Sequence, residues 1–263
     1  MNGFAQIPYW YFKSALTDEQ CNMIIEKGMS AISLAKQKGE NVEGSTFGDT
    51  HKKDDSKDAK PRGELTLQGA KKKRKDNTYI RDSKIGWLSD QEIYGLINPF
   101  VTEANERAGW LFDVDWVEPA QFTTYGEGGF YSWHKDSLGD HNNVFKPWDK
   151  NIGPFKTDAS GNPILNRLGE KQPPAQYTSD INFIGKVRKL SVTVNLTNPK
   201  NYSGGNLKFD LGPHAEKRFH TATEARPRGS IIVFPSYLEH TVTPIKKGNR
   251  YSLVMWFLGR PFR

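Results

Sequence analysis

Cysteine is almost absent from this chain of 263 residues. Cys21 stands alone, so no internal disulfide can form, which fits a reducing, cytoplasmic setting. No apolar run approaches the roughly 18 residues that a membrane-spanning helix needs, so no membrane span is expected. The opening Met1-Asn2-Gly3-Phe4-Ala5 lacks a basic stretch followed by an apolar one, so no secretory leader is expected either. Acidic residues are the minority, 30 against 37 Lys and Arg, for a net charge of +7. Such a balance favours acidic partners, but the excess is concentrated in Lys71-Lys72-Lys73-Arg74-Lys75 and Lys52-Lys53. A block of this kind reads first as a solvated loop and second as a patch for nucleic acid or an anionic peptide.

What is present is patterned. Thr17-Asp18-Glu19-Gln20 reads as a capping box, and Cys21, Ile24, Ile25, Met29 and Ile32 follow at helical spacing, which predicts a helix over 18–37. Ser89-Asp90-Gln91-Glu92 opens a second helix, with Ile93, Leu96, Ile97, Phe100, Val101 and Ala104 as its stripe and Gly109 as its stop. Residues 38–77 are polar and without period, a charged insertion. Short strand-like runs then dominate: Val114–Tyr125, Phe130–Asp136, Lys189–Leu196, Asn206–Asp210, Ser230–Phe234, His240–Pro244 and Tyr251–Leu258, with Gly- and Pro-rich turns between them. The expected architecture is mainly β with N-terminal helices: a helical support region over 1–113, then a core over 114–263 of two packed antiparallel sheets, integrated into one domain. A stretch of about fifty residues at 137–187 interrupts the strands and is expected to act as a lid or recognition loop, with Trp148, Phe155 and Tyr177 packing it down or gripping a substrate.

Six histidines occur, at 51, 134, 141, 214, 220 and 240. His134 and Asp136 are two apart in a strand-like run, so both can face the same way and offer one nitrogen and one oxygen to a single metal ion. His240, opening another strand, is the candidate third ligand; His214 and His220 are rivals in less regular surroundings. Two histidines and one carboxylate on one face of an octahedron leave three open positions, as in non-haem iron(II) oxygenases. A strand histidine bonded to a nearby carboxylate would also account for the pair. Arg250 follows His240 by ten residues. A hairpin turning at Lys247-Gly248-Asn249 would return Arg250 towards the strand of His240. A guanidinium inside a barrel needs an anion: a structural Asp or Glu, or the distal carboxylate of 2-oxoglutarate, whose keto-acid end could chelate the iron and leave one position for dioxygen. On the run 189–196, Leu190, Val192, Val194 and Leu196 share one face, and Ser191, Thr193 and Asn195 the other. If that polar face looks inward, Thr193 and Asn195 are cosubstrate contacts; it could instead face solvent.

The stretches Tyr125-Gly126-Glu127-Gly128-Gly129-Phe130-Tyr131-Ser132-Trp133-His134-Lys135-Asp136-Ser137, Arg188 through Leu196, Tyr202-Ser203-Gly204-Gly205-Asn206-Leu207, and His240 through Arg250 to Trp256 resemble the prolyl-4-hydroxylase-like branch of the Fe(II)/2-oxoglutarate dioxygenases, most closely the bacterial and phage PKHD-type hydroxylases. The resemblance spans about residues 120–258. It implies a double-stranded β-helix, or jelly roll. It also implies Fe(II) on His134, Asp136 and His240, 2-oxoglutarate clamped by Arg250 and hydrogen-bonded by Tyr125, and Tyr131 and Trp256 lining the substrate side. L-ascorbate often rescues oxidised iron in this family. The two insertions have no counterpart in it, so the substrate does not transfer with the name. A protein or peptide residue, proline first, is the leading expectation; a nucleic-acid oxygenase and a non-catalytic protein keeping the fold are the alternatives.

Overall fold

This computed structural model describes residues 7–44, 81–149, 151–157, 161–163, 171, 173–174 and 176–262. The lysine block at 71–75, His51 and most of the charged insertion lie outside the described residues. The first helix, α1 (Asp18–Gln37), begins as expected. Gln20 N donates to Thr17 Oγ1, and Thr17 N donates back to the Gln20 side chain. The second helix, α2 (Gln91–Arg107), starts one residue later than the Ser89 cap predicts: Asp90 is the cap, its carboxylate accepting from Glu92 N and Ile93 N.

Two sheets face each other. The larger contains β1 (Trp10–Phe12), β3 (Lys84–Leu88), β4 (Trp116–Val117), β5 (Ala120–Tyr125), β9 (Val187–Asn195), β13 (Ile231–Pro235) and β16 (Arg250–Gly259), in the order β1-β13-β9-β16-β5-β3 with β4 beside β16. The smaller contains β2 (Arg81–Asp82), β6 (Phe130–His134), β11 (Leu207–Asp210), β12 (Phe219–Thr221) and β14 (His240–Val242), in the order β12-β11-β14-β6-β2. Two ribbons complete the described strands: β7 (Lys146–Pro147) with β8 (Tyr177–Thr178), and β10 (Tyr202–Gly204) with β15 (Ile245–Gly248). This is the two-sheet jelly-roll architecture expected from the strand runs.

The N-terminal half contributes more than helices. β1 pairs with β13, β3 with β5 and β2 with β6, so segments from before residue 113 edge both sheets. Their shortness and the polar residues in them hid them from a periodicity reading. The helices cover the outer face of the larger sheet. Ile24, Ile32, Ile93, Ile97 and Val101 bury against Phe122, Leu190, Val192, Val194, Leu253 and Met255. The apolar face of β9 therefore looks out under the helices. Its polar face looks into the sandwich, where Ser191 and Thr193 pair with Phe234 and Ile232 of β13. The 137–187 segment is closed at its base: Phe145 N donates to Lys186 O, Gly185 N donates to Phe145 O, and Phe145 meets Phe183 edge-on. Trp148 donates its indole N–H to Pro154 O, a lysine, Lys171, sits over Phe155, and Lys146 sits over Tyr177, so all three aromatics have partners within the segment. No helix among the described residues is long and apolar enough to cross a membrane.

Candidate active site

Strand pairing brings the two histidines together. β6 and β14 are antiparallel neighbours, and His134 lies directly opposite His240, with ring centroids 4.2 Å apart. β6 ends at His134, so Asp136 does not reach the site as the next-but-one residue of a continuous strand. The chain leaves the ladder, and Asp136 N bonds instead to Ser236 O, which turns the carboxylate back towards both rings. His134 Nε2 lies 3.6 Å from Asp136 Oδ1, and His240 Nε2 lies 3.7 Å from Asp136 Oδ2. One ligand atom from each of the three falls within 4.8 Å of the others, a spacing that could hold one metal ion.

The ring nitrogens are presorted for that task. His134 Nδ1 is 2.7 Å from Ser132 O, and His240 Nδ1 is 2.9 Å from Leu238 O. A carbonyl only accepts, so each Nδ1 carries the proton and each Nε2 turns a lone pair towards Asp136. Burial, with the neighbouring His240 adding to it, lowers the His134 pKa to about 3, so its ring stays neutral and available. Burial would raise the Asp136 carboxyl, but the Arg188 guanidinium and the hydrogen bond from Ser191 act against it, and the group lies below its ordinary value. Ser191 Oγ donates to Asp136 Oδ2 at 2.7 Å and lies 2.9 Å from Ser236 Oγ. Ser191 was visible on the polar face of β9, but periodicity could not show that Asp136 would meet it.

Arg250 is placed differently from the hairpin expectation. The strand of His240 does not turn directly into that of Arg250. β15 intervenes and pairs with β10, and β16 then crosses to the larger sheet between β9 and β5. Arg250 therefore faces His240 across the sandwich rather than along a hairpin, because an inward-facing position on each sheet meets the same interior. It is 3% exposed, lies opposite Tyr125 in the ladder, and has its guanidinium 5.7 Å from the Tyr125 ring. Among the described residues no carboxylate pairs with it, so the structural Asp or Glu partner weighed from sequence is not found there. The Tyr125 hydroxyl likewise has no hydrogen-bond partner among them.

These groups line one cavity of about 450 Å³, counting its open mouth. His134, Asp136, His240, Arg250, Tyr125, Thr193, Tyr131 and Trp256 all border it, as do two residues that sequence reasoning passed over, Arg81 and Gln121. Tyr131 stacks on His134 with centroids 3.5 Å apart. Trp256 lies under the Arg188 guanidinium at 4.0 Å, and Arg188 is paired with Glu118 through two hydrogen bonds. Asn195 does not join the cavity wall. Its amide donates to Thr197 O and Arg226 O, so it braces the end of β9 instead. Of the rival histidines, His220 bonds the Tyr9 hydroxyl at 2.8 Å and His214 is exposed.

Comparison with known proteins agrees with this geometry. The sequence model of the 2OG-Fe(II) oxygenase superfamily matches residues 174–258, a segment that holds Ser191, His240, Arg250 and Trp256. A PKHD-type hydroxylase of Synechococcus sp. (strain CC9605) is 36% identical over 69 residues, 26% of this chain and 29% of that protein. One of Hyphomonas neptunium is 37% identical over 67 residues, 26% of this chain and 27% of that protein. The matches thus span less than a third of these relatives' length. Among solved structures, a prolyl-4-hydroxylase of Pseudomonas putida superposes with a TM-score of 0.53 at 14% identity, covering 97% of this chain and 94% of that one. The viral collagen prolyl hydroxylase of Paramecium bursaria Chlorella virus-1 gives 0.51 at 15% identity, covering 96% and 97%. Residues 174–258 are thus similar to the 2OG-Fe(II) oxygenase superfamily, and the fold is similar to that of the prolyl-4-hydroxylase structures.

Proposed function

We propose that the chain is an Fe(II)- and 2-oxoglutarate-dependent dioxygenase that hydroxylates a C–H bond of a peptidyl residue such as proline, releasing succinate and CO2. The observation that carries the reading is the cavity itself: three ligand atoms close enough to share one ion on the smaller sheet, and on the larger one a buried guanidinium without a carboxylate partner among the described residues. His134, Asp136 and His240 would hold Fe(II). Iron bound there would supply dioxygen activation for 2-oxoglutarate decarboxylation coupled to substrate hydroxylation. The distal carboxylate fits the Arg250 guanidinium, with the Tyr125 hydroxyl as a second donor and Thr193 beside it. The backbone-bonded Nδ1 atoms keep both rings oriented, and Ser191 holds Oδ2 of Asp136.

The peptide substrate is supported by the names of the two fold relatives and by the rim of the cavity. Trp87, half exposed, lies opposite Gln121 on β3 and 6.2 Å from Trp256, an aromatic surface suited to an extended chain. Ascorbate, as the reductant returning oxidised iron to Fe(II), rests on the family resemblance. The test is iron-dependent succinate formation from 2-oxoglutarate, followed by mass spectrometry of candidate peptides for the gain of one oxygen atom. A chain that binds neither iron nor 2-oxoglutarate would overturn the reading.

A further inference from the structure

Two buried guanidiniums border the cavity, and the function proposed above uses one of them. The other belongs to Arg81, which is 6% exposed. Its Nε donates to Ser83 Oγ at 2.7 Å, and its Nη2 donates to Gln121 Oε1 at 2.8 Å and Thr123 Oγ1 at 3.2 Å. Its carbon lies 4.7 Å from the centroid of Tyr131, the ring that stacks on His134. All of these partners are neutral. Among the described residues no carboxylate answers Arg81, and its Nη1 has no acceptor. A guanidinium locked by neutral dipoles, with one edge left open, is a preorganised anion site.

Charge counting points the same way. Among the described residues, the cavity wall carries the positive charges of Arg81 and Arg250 against the single negative charge of Asp136. A divalent ion and a dianionic cosubstrate add equal and opposite charge, so one positive charge stays unanswered in a poorly solvated space. It does not belong to Arg188, which Glu118 neutralises through hydrogen bonds of 2.5 and 2.7 Å. Nor does it belong to Arg250, which the cosubstrate would take.

Position separates the two sites. Arg250 lies opposite Tyr125, while Arg81 bonds Thr123 and Gln121, two and four residues back along β5. At about 3.3 Å per residue those contacts lie roughly 7 and 13 Å along the strand from the level of Arg250, so a dicarboxylate anchored on Arg250 can meet the metal ligands without engaging Arg81. The Arg81 end is the one flanked by Trp87 and Trp256, where a substrate would enter.

We propose that Arg81 is a substrate anion site, and that the substrate presents a carboxylate beside the C–H bond to be hydroxylated, as an acidic side chain or a free chain end. This rests on the function proposed above and narrows its substrate class. The test is calorimetric titration of the whole chain, loaded anaerobically with Mn(II) and 2-oxoglutarate. The probes are acetyl-Pro-Glu-amide against acetyl-Pro-Gln-amide for a side-chain carboxylate, and acetyl-proline against its amide for a chain-end carboxylate. The expected result is at least tenfold tighter binding of the carboxylate member of one pair; which pair shows it identifies the source. Arg81→Gln should erase that preference and Arg81→Lys should keep most of it, while affinity for Mn(II) and 2-oxoglutarate stays at the unsubstituted value in both. Equal binding within both pairs, no binding of any carboxylate probe, or a preference that survives Arg81→Gln would overturn the proposal. So would a loss of 2-oxoglutarate affinity in Arg81→Gln, which would assign Arg81 to the cosubstrate. Failure of the unsubstituted chain to take up Mn(II) or 2-oxoglutarate would instead overturn the function on which the proposal rests.

Discussion

Ser191 donates a 2.7 Å hydrogen bond to Oδ2 of Asp136 from the facing sheet, while the two histidines approach the same carboxylate from their own sheet. The bond ties the orientation of a candidate metal ligand to the packing of β9. Ser191→Ala removes the donor without adding bulk. We expect metal affinity to fall roughly tenfold or more, as outer partners of metal ligands typically contribute. Ser191→Thr keeps the hydroxyl and should restore most of it. Equal affinity in the alanine variant would make the Asp136 orientation independent of Ser191.

Arg250→Ala should weaken 2-oxoglutarate binding while leaving metal uptake intact. A hydrogen bond to a charged group contributes about 1.5–3 kcal/mol, which corresponds to roughly ten- to a hundredfold in affinity. Arg250→Lys retains the charge but not the planar fork, and should fall between the two. Direct titration with 2-oxoglutarate reads this. An alanine variant with undiminished affinity would make Arg250 a structural residue.

Gly28 tests the fold rather than the chemistry. It sits on α1 where the helix meets β5, and an added Cβ would run into the ring of the fully buried Phe122. Overpacking of this kind costs about 1–3 kcal/mol, more than the ~1 kcal/mol that alanine gains over glycine in a helix. Gly28→Ala should therefore lower Tm by a few degrees, with 2-oxoglutarate affinity unchanged. A raised Tm would show that the helix does not approach the sheet so closely.

The helices, the central strands and the ligand candidates were legible because each leaves a local signature. Thr17 and Gln20 announce the start of α1, the alternation of Leu190, Val192 and Val194 announces β9, and the spacing of His134 and Asp136 announces a candidate metal site. What was not legible depends on pairing between distant segments. β2, only two residues long, has no period to detect, yet it delivers Arg81 to the cavity. The crossing of β16 to the larger sheet cannot be read from the turn before it, so a hairpin reading puts Arg250 beside the strand of His240 instead of on the facing sheet. Thr193 and Asn195 share a strand face, but β9 ends at Asn195, whose amide is taken by backbone carbonyls beyond the strand end.

The most direct test of the central claim is succinate formation from 2-oxoglutarate, measured together with iron content, in the unsubstituted chain and in the His134→Ala, Asp136→Ala, His240→Ala and His220→Ala variants. One iron per chain and iron-dependent succinate are expected in the unsubstituted protein. Both should be lost in each of the first three variants and retained in His220→Ala, since the His220 ring is engaged with Tyr9. Full iron uptake and turnover in the His240→Ala variant would contradict the central claim, since the metal would then be held elsewhere.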